Sequence, residues 1–293
     1  MQKNIYLLFF LSFIFLSFVS QGQKKRPLTI DDFQYWNILN NQVISNDGTI
    51  IAFEQNPQRG DGRLIVWKER GGYDTIPRGY NPVIGSESDF LLFSIRQHED
   101  SIRKAKLAKV KKEDMPLDSL GILILRSNEV LKFAGLKSVK VPEENARWIA
   151  FIIKSGKQKE DSLQNMKSGK KEMQETGDLI LFDVTTHDTL FINDVSEVYC
   201  SPDGSYIYYA KLVKDSLMTS SSLYVFDTNY NRQDILYSDK GWIKKVVSAK
   251  KGEKYAFLFS GDTADARVYS LYYGTLGTLP RKVVDGYTSG IPV

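Results

Sequence analysis

A turn followed by an apolar strand recurs five times along the chain. Each copy begins with polar and small residues and ends with β-branched and aromatic ones, an order that favours a turn leading into a mostly buried strand. The copies occupy residues 44–53, 84–93, 142–151, 200–209 and 248–257. Their closing aromatic residues are about 40 to 58 positions apart. Repetition at this spacing indicates that one structural unit is built several times.

The turns in two of the copies have an explicit motif. Asn46-Asp47-Gly48 and Pro202-Asp203-Gly204 each place an aspartate before a glycine. The aspartate can accept hydrogen bonds from the backbone that follows it, and the glycine tolerates a positive φ. A tight hairpin is therefore predicted at each copy.

Two more strands are predicted after each copy. The third strands are expected at 64–67, 122–125, 179–182, 223–226 and 268–271, and the fourth at 75–76, 130–133, 189–192, 234–237 and 282–284. Four strands per unit and a period of at least about 40 residues are typical of β-propeller blades. The sequence predicts an all-β propeller over residues 23–293, with about five blades that do not complete a ring.

Two polar segments lengthen the repeat. Residues 97–119 are basic, and residues 156–176 mix lysines with acidic residues. Both fall between the second and third strands of a blade, so we expect them on the same face of the propeller as solvated loops. An alternative interpretation of the basic segment is a docking surface for an acidic partner.

The first 22 residues differ from the rest of the chain. Lys3 precedes an apolar run from residue 5 to 19, and Ser20-Gln21-Gly22 supplies small residues for cleavage before Gln23. This order is typical of a helical signal peptide. A membrane anchor is the alternative, but a span needs roughly 20 apolar residues. We expect an exported protein, periplasmic or extracellular, that has no membrane contact after cleavage.

The composition limits the kinds of binding site that the chain can contain. The 293 residues have a net charge of +4 that is spread along the chain, and the basic segment has no interleaved aromatics, so nucleic-acid binding is not predicted. Two histidines and one cysteine rule out a Cys/His zinc site and a disulfide framework. No metal or cofactor is expected.

No catalytic residue is predicted. The G-x-S-x-G elbow of serine hydrolases is absent from the sequence, and both His98 and His187 fall in segments expected to be exposed. Glu143 and Glu144 are weak candidates for holding a substrate amine, because two adjacent carboxylates can bind one. Their position in the repeat also allows a purely structural role in a turn.

Several strings, in order, resemble the N-terminal part of secreted bacterial serine peptidases of the prolyl oligopeptidase family. They are 27–36 (PLTIDDFQYW), 44–48 (ISNDG), 56–62 (NPQRGDG), 76–80 (IPRGY) and 115–121 (MPLDSLG). The resemblance extends over residues 24–293. It implies a propeller that caps the catalytic site of a C-terminal α/β-hydrolase domain and admits short peptide substrates.

The resemblance places no catalytic residue on this chain, because the sequence ends at Val293, five blades in. The chain is therefore expected to be the non-catalytic propeller part of such a peptidase, a substrate filter and platform for a hydrolase domain that it lacks. The alternative is a stand-alone propeller, similar to periplasmic TolB, that binds protein partners on one face.

Signal cleavage is directly testable. When the whole chain is expressed in a bacterium with intact secretion, the mature protein is expected to begin at Gln23, as measured by N-terminal sequencing. Gly22→Trp should remain uncleaved, because the residue before the cut must be small. An exported, membrane-bound product that still begins at Met1 would instead support the anchor.

Overall fold

The computed structural model describes residues 26–155, 176–214, 218–262 and 267–288. The predicted signal peptide and residues 156–175 of the second polar segment lie outside the described residues. The chain divides into two compact units, Met1–Trp36 and Asn37–Val293.

The described part of the first unit contains a short 3-10 helix, Ile30–Tyr35. Asp32 accepts a hydrogen bond from the Thr29 backbone N–H at 2.7 Å and pairs with the Arg26 guanidinium. These two interactions lower the pKa of the Asp32 carboxyl. The rings of Phe33 and Trp36 meet edge to face, with centroids 4.6 Å apart.

The second unit consists of consecutive four-stranded antiparallel blades. Blade 1 contains β1 (Asn37–Ile44), β2 (Ile50–Pro57), β3 (Arg63–Lys68) and β4 (Gly72–Pro77). Blade 2 contains β5 (Gly79–Ile84), β6 (Phe90–Ile95), β7 (Ser119–Ile124) and β8 (Glu129–Phe133). Blade 3 contains β9 (Leu136–Lys140), β10 (Trp148–Ile153), β11 (Gly177–Asp183) and the first half of β12 (Thr189–Cys200).

Blade 4 shares its first strand with blade 3. The second half of β12 pairs with β13 (Tyr206–Lys214), which is followed by β14 (Thr219–Asp227) and β15 (Arg232–Lys240). Blades 3 and 4 thus form one seven-stranded sheet. Blade 5 contains β16 (Trp242–Ser248), β17 (Lys254–Ser260), β18 (Ser270–Thr275) and β19 (Arg281–Val284). The predicted strands are confirmed, although β18 starts two residues later than expected.

Successive blades pack face to face through alternating residues of their central strands. Ala52 of blade 1 lies in one buried cluster with Phe93 of blade 2. Leu92 of blade 2 lies in the next cluster with Phe151 of blade 3. The same pairing continues with Ala150 and Tyr209, and with Tyr208 and Phe257. Because side chains alternate sides along a strand, each blade contacts both neighbours.

The closing aromatics were expected to be buried between blades, and four of the five are. Phe93, Phe151, Tyr209 and Phe257 are each at most 1% exposed. Phe53 is only partly buried, because no other blade among the described residues covers its face of blade 1, and the described strands form no closed ring. On the same face the side chains of Ile44 and Tyr73 are exposed.

The first polar segment is partly helical, which corrects the prediction of a loop over 97–119. Helix α1 spans Glu99–Leu107, and a 3-10 turn follows at Lys112–Asp114. Glu99 and Asp100 in the first turn and two lysines in the last turn complement the helix dipole. The helix buries no residue completely, so the predicted exposure holds for these residues. Among the described residues, no helix combines the length and apolarity needed to cross a bilayer.

The blade interfaces predict unequal effects of two similar mutations. Phe151→Ala is expected to reduce the free energy of unfolding by about 3–5 kcal/mol, because it opens a cavity between two blades. Phe53→Ala should cost about 1 kcal/mol, since this ring is already partly exposed. Urea unfolding of both variants measures the difference, and equal losses would show that Phe53 is covered as completely as Phe151.

Candidate functional site

A cleft of about 740 Å³ opens at one end of blades 1, 2 and 3. It lies where the second strands lead into the third, the end from which α1 emerges. The Asp-Gly turns lie at the opposite end, because successive strands are antiparallel. The lining of the cleft comes from the β2–β3 loop, the β4–β5 connection, the segment after β6 and strand β9.

A carboxylate is buried in the interface behind this cleft. The Glu54 side chain is 2% exposed. Its oxygens accept hydrogen bonds from the side chains of Asn41 at 2.6 Å and Asn56 at 3.0 Å, and from the Asn81 backbone N–H at 2.8 Å. The Arg96 guanidinium lies 3.8 Å away. Every partner is a donor, so the site is built for the ionised form.

Irregularities in strands β1 and β5 make this arrangement possible. β1 and β5 each carry a bulge, and the residues within the bulges, Asn41 and Asn81, have φ values of 48° and 49°. Asparagine accepts this left-handed conformation more readily than most residues. The two bulges direct the Asn41 side chain and the Asn81 backbone at the same carboxylate.

The environment of Glu54 lowers its pKa. Burial alone would raise the pKa, but the three hydrogen bonds and the Arg96 charge outweigh it, so the net shift is below the ordinary value of 4.5. Glu54 therefore stays charged at neutral pH and forms an ion pair with Arg96.

A second polar group lies on the cleft wall. The Tyr80 hydroxyl donates to Asp118 at 2.6 Å, and the other Asp118 oxygen accepts the Gln97 backbone N–H at 3.0 Å. Burial, reinforced by Asp118, raises the pKa of Tyr80 to about 12. The phenol thus remains a donor, and the Arg96 guanidinium lies over its ring, 4.4 Å from the centroid.

Helix α1 is attached to the rim of the cleft through Asp61. One Asp61 oxygen accepts the Glu99 backbone N–H at 3.0 Å, and the other lies 3.0 Å from Nδ1 of His98. His98 was expected to be solvated; its side chain is 63% exposed, but it has this acidic partner. Burial opposes ionisation of Asp61, but the hydrogen bonds from Glu99 and His98 and the charges of His98 and Arg78 outweigh it, so the pKa of the Asp61 carboxyl is lowered.

Glu143 and Glu144 lie at the other end of the molecule, in the turn of blade 3. The Glu144 backbone N–H donates to the Pro202 carbonyl at 2.8 Å, and its carboxylate lies 2.5 Å from Nζ of Lys250. Glu144 thus links the turns of blades 3, 4 and 5. The amine-binding hypothesis for this pair stays untested.

Three remaining expectations concern His187, metals and the turns. His187 is exposed at a hairpin with a φ of 62°, and it stacks on Phe182. The described residues contain no group of His, Cys, Asp or Glu side chains arranged to hold a metal ion. In the Asp-Gly turns, hydrogen bonds led by that of Ser45 lower the pKa of Asp47 to about 2.

Sequence reasoning missed Glu54, although the strand pattern contains a signal. Ile50, Ala52 and Glu54 alternate along β2, and the first two face the core. A charged residue that continues a buried series needs partners. One partner, Asn56, lies on β2 itself, but Asn41, Asn81 and Arg96 come from elsewhere, and no local pattern connects them to β2.

Comparisons with known proteins identify no family. No family and no curated protein matches the sequence. Among solved structures, the chain is similar to the β-propeller domain of the Trilobed protease from Pyrococcus furiosus, with 10% identity, a TM-score of 0.45, and coverage of 83% of this chain and 70% of that one.

Two other structures show the same degree of similarity. The tricorn protease is 12% identical with a TM-score of 0.45, and the match covers 87% of this chain but 23% of that protein. An oligogalacturonate lyase in complex with manganese is 16% identical with a TM-score of 0.45, and the match covers 88% of this chain and 67% of that one. Similarity at this level carries no argument about function, so the blades themselves support the propeller description.

The Glu54 environment predicts a pH-dependent contribution to stability. Glu54→Gln is expected to reduce the free energy of unfolding at pH 7 by about 2 kcal/mol, because an amide N–H₂ would face other donors. A carboxyl whose pKa is lowered by folding stabilises above its unfolded pKa and loses this effect as the pH falls. The difference between variant and wild type should therefore shrink between pH 5 and pH 3.

Urea unfolding of the variant and the wild type at pH 7 and at pH 3 measures this difference. Glu87→Gln is the matched control, because Glu87 is exposed in the turn of blade 2. It should leave stability unchanged at both pH values. A constant deficit of Glu54→Gln from pH 7 to pH 3 would contradict the assignment of a charged Glu54.

Proposed function

We propose that this chain is the non-catalytic propeller part of an exported serine peptidase similar to prolyl oligopeptidases. In this proposal the propeller binds short peptides and controls their access to a hydrolase domain that is not on this chain. The peptide site is the cleft at the end of blades 1–3. Export rests on the N-terminal signal pattern alone.

The observation that carries the proposal is the cleft itself. Its volume of about 740 Å³ is within the range of small-ligand sites, roughly 300–1,000 Å³. Its walls combine apolar surface with hydrogen-bonding groups that are held in place by Glu54, Asp61 and Asp118. A peptide offers both kinds of surface, and the ordered resemblance over residues 24–293 points to the same class of ligand.

Peptide binding by the full chain tests the proposal. A panel of unblocked peptides of about five residues, containing proline and alanine, is titrated by isothermal calorimetry. We expect binding without cleavage, the latter followed by mass spectrometry. Ser94→Trp, which adds an indole to the cleft wall, should weaken binding at least about tenfold, a loss of roughly 1.4 kcal/mol.

Ser127→Trp is the control, because it adds the same side chain to an exposed turn at the opposite end of blade 2. Circular dichroism verifies that both variants fold. Peptide hydrolysis by the chain alone would overturn the non-catalytic role. Failure to bind any peptide, together with capture of a folded protein partner, would favour the TolB-like alternative.

A further inference from the structure

The charged groups that line the cleft differ in how far they are already paired. Asp61 accepts one hydrogen bond on each oxygen, from the Glu99 backbone and from His98. Asp118 is likewise occupied by Tyr80 and Gln97. Each oxygen of these two carboxylates thus already has one donor, and a ligand amine would have to share the oxygen with it. Glu99 is the lining carboxylate without such a donor among the described residues, and it is exposed in the first turn of α1.

The two arginines that line the cleft still have N–H groups without a hydrogen-bond acceptor among the described residues. Nη1 of Arg78 donates a hydrogen bond to the carbonyl of residue 96 at 2.7 Å, and the described residues supply no other hydrogen bond to the Arg78 side chain. Arg96 makes no hydrogen bond through its guanidinium there; its nearest carboxylate oxygen, on Glu54, is 3.8 Å away. Its side chain is 50% exposed. Two guanidinium groups with unused donors therefore line the same cleft.

These two arginines are also held in place. The backbone N–H of Arg96 donates to the Arg78 carbonyl at 3.0 Å, so the two residues are bound to each other in both directions. Tyr80 supports the Arg96 guanidinium from below, at 4.4 Å. A fixed, planar guanidinium binds a carboxylate through two parallel hydrogen bonds, which a lysine cannot do.

Apolar side chains provide the rest of the lining. They come from α1, from the segment before β7 and from β9: Ile102, Pro116, Leu117, Leu136 and Val139. Leu136 and Val139 also pack against the cluster between blades 2 and 3, which fixes their positions. An anion that is bound by the arginines would thus have an apolar group beside it.

We propose that Arg78 and Arg96 form a binding site for the C-terminal carboxylate of a short peptide, with the last side chain of the peptide against the apolar wall. The identification of the ligand as a peptide rests on the proposed function. The preference for a carboxylate over an amine rests on the unused arginine donors and the occupied aspartates. The site sets the direction in which a peptide enters the cleft.

Peptide end groups test the inference on the unmodified chain. Matched peptides of about five residues ending in leucine are prepared as the free acid and as the C-terminal amide, and a third is acetylated at its N-terminus with a free carboxylate. Titration calorimetry is expected to show that the amide binds at least about tenfold more weakly than either acid. Acetylation should change the affinity less than about twofold.

Variants then assign the effect to the arginines. Arg96→Gln and Arg78→Gln should each remove most of the preference for the acid over the amide. Arg126→Gln removes the same charge from an exposed turn at the opposite end of blade 2 and should retain the preference. The ratio of the two affinities within one variant is independent of the fraction of folded protein.

The outcomes separate this inference from the proposed function. Equal binding of acid and amide would overturn the carboxylate site but leave peptide binding intact. A preference abolished by acetylation would show amine recognition, with Glu99 as the group to examine, and would also overturn it. If no peptide binds, both the inference and the proposed function fail.

Discussion

Face-to-face packing between consecutive blades holds the strands of the second unit together. A four-stranded antiparallel sheet with apolar residues on both faces needs a neighbour on each side. Here the face towards the preceding blade carries the closing aromatic, as in Phe93 and Phe151. The opposite face carries the residue before it, such as Ala52 or Leu92. Each interface therefore joins two different surfaces, and the order of the blades follows from the order of the strands.

The same packing explains where polar groups are tolerated. The position that continues the buried series of β2 is Glu54, and it lies where the bulges of β1 and β5 meet. Burying a charge there is acceptable because Asn41 and Asn81 donate to it directly. The bulges interrupt the regular strand pairing, and they place two hydrogen-bond donors next to the Glu54 carboxylate. This arrangement positions Arg96 at the cleft.

The cleft connects the fold with the proposed function. Its groups are held from behind by the blade interface and from the side by the first turn of α1, so few of them need to reorganise when a ligand binds. Both oxygens of Asp61 and of Asp118 have a donor, whereas Arg78 and Arg96 keep guanidinium N–H groups that have no hydrogen-bond partner among the described residues. That difference gives the cleft a chemical preference that its net charge does not reveal.

The blades could be predicted from the sequence. The turn motifs at 46–48 and 202–204 and the order of the strands follow from local rules, because hairpins form between neighbouring residues. Helix α1 was missed, although its acidic start and basic end are local signals. The cleft depends on tertiary contacts: Glu54 of blade 1 meets Asn81 and Arg96 of blade 2, and the other polar groups of the cleft meet across loops of blade 2. Side-chain partners so far apart in sequence leave no periodic pattern. The partial exposure of Phe53 has the same origin: its burial depends on a neighbouring sheet, not on its own strand.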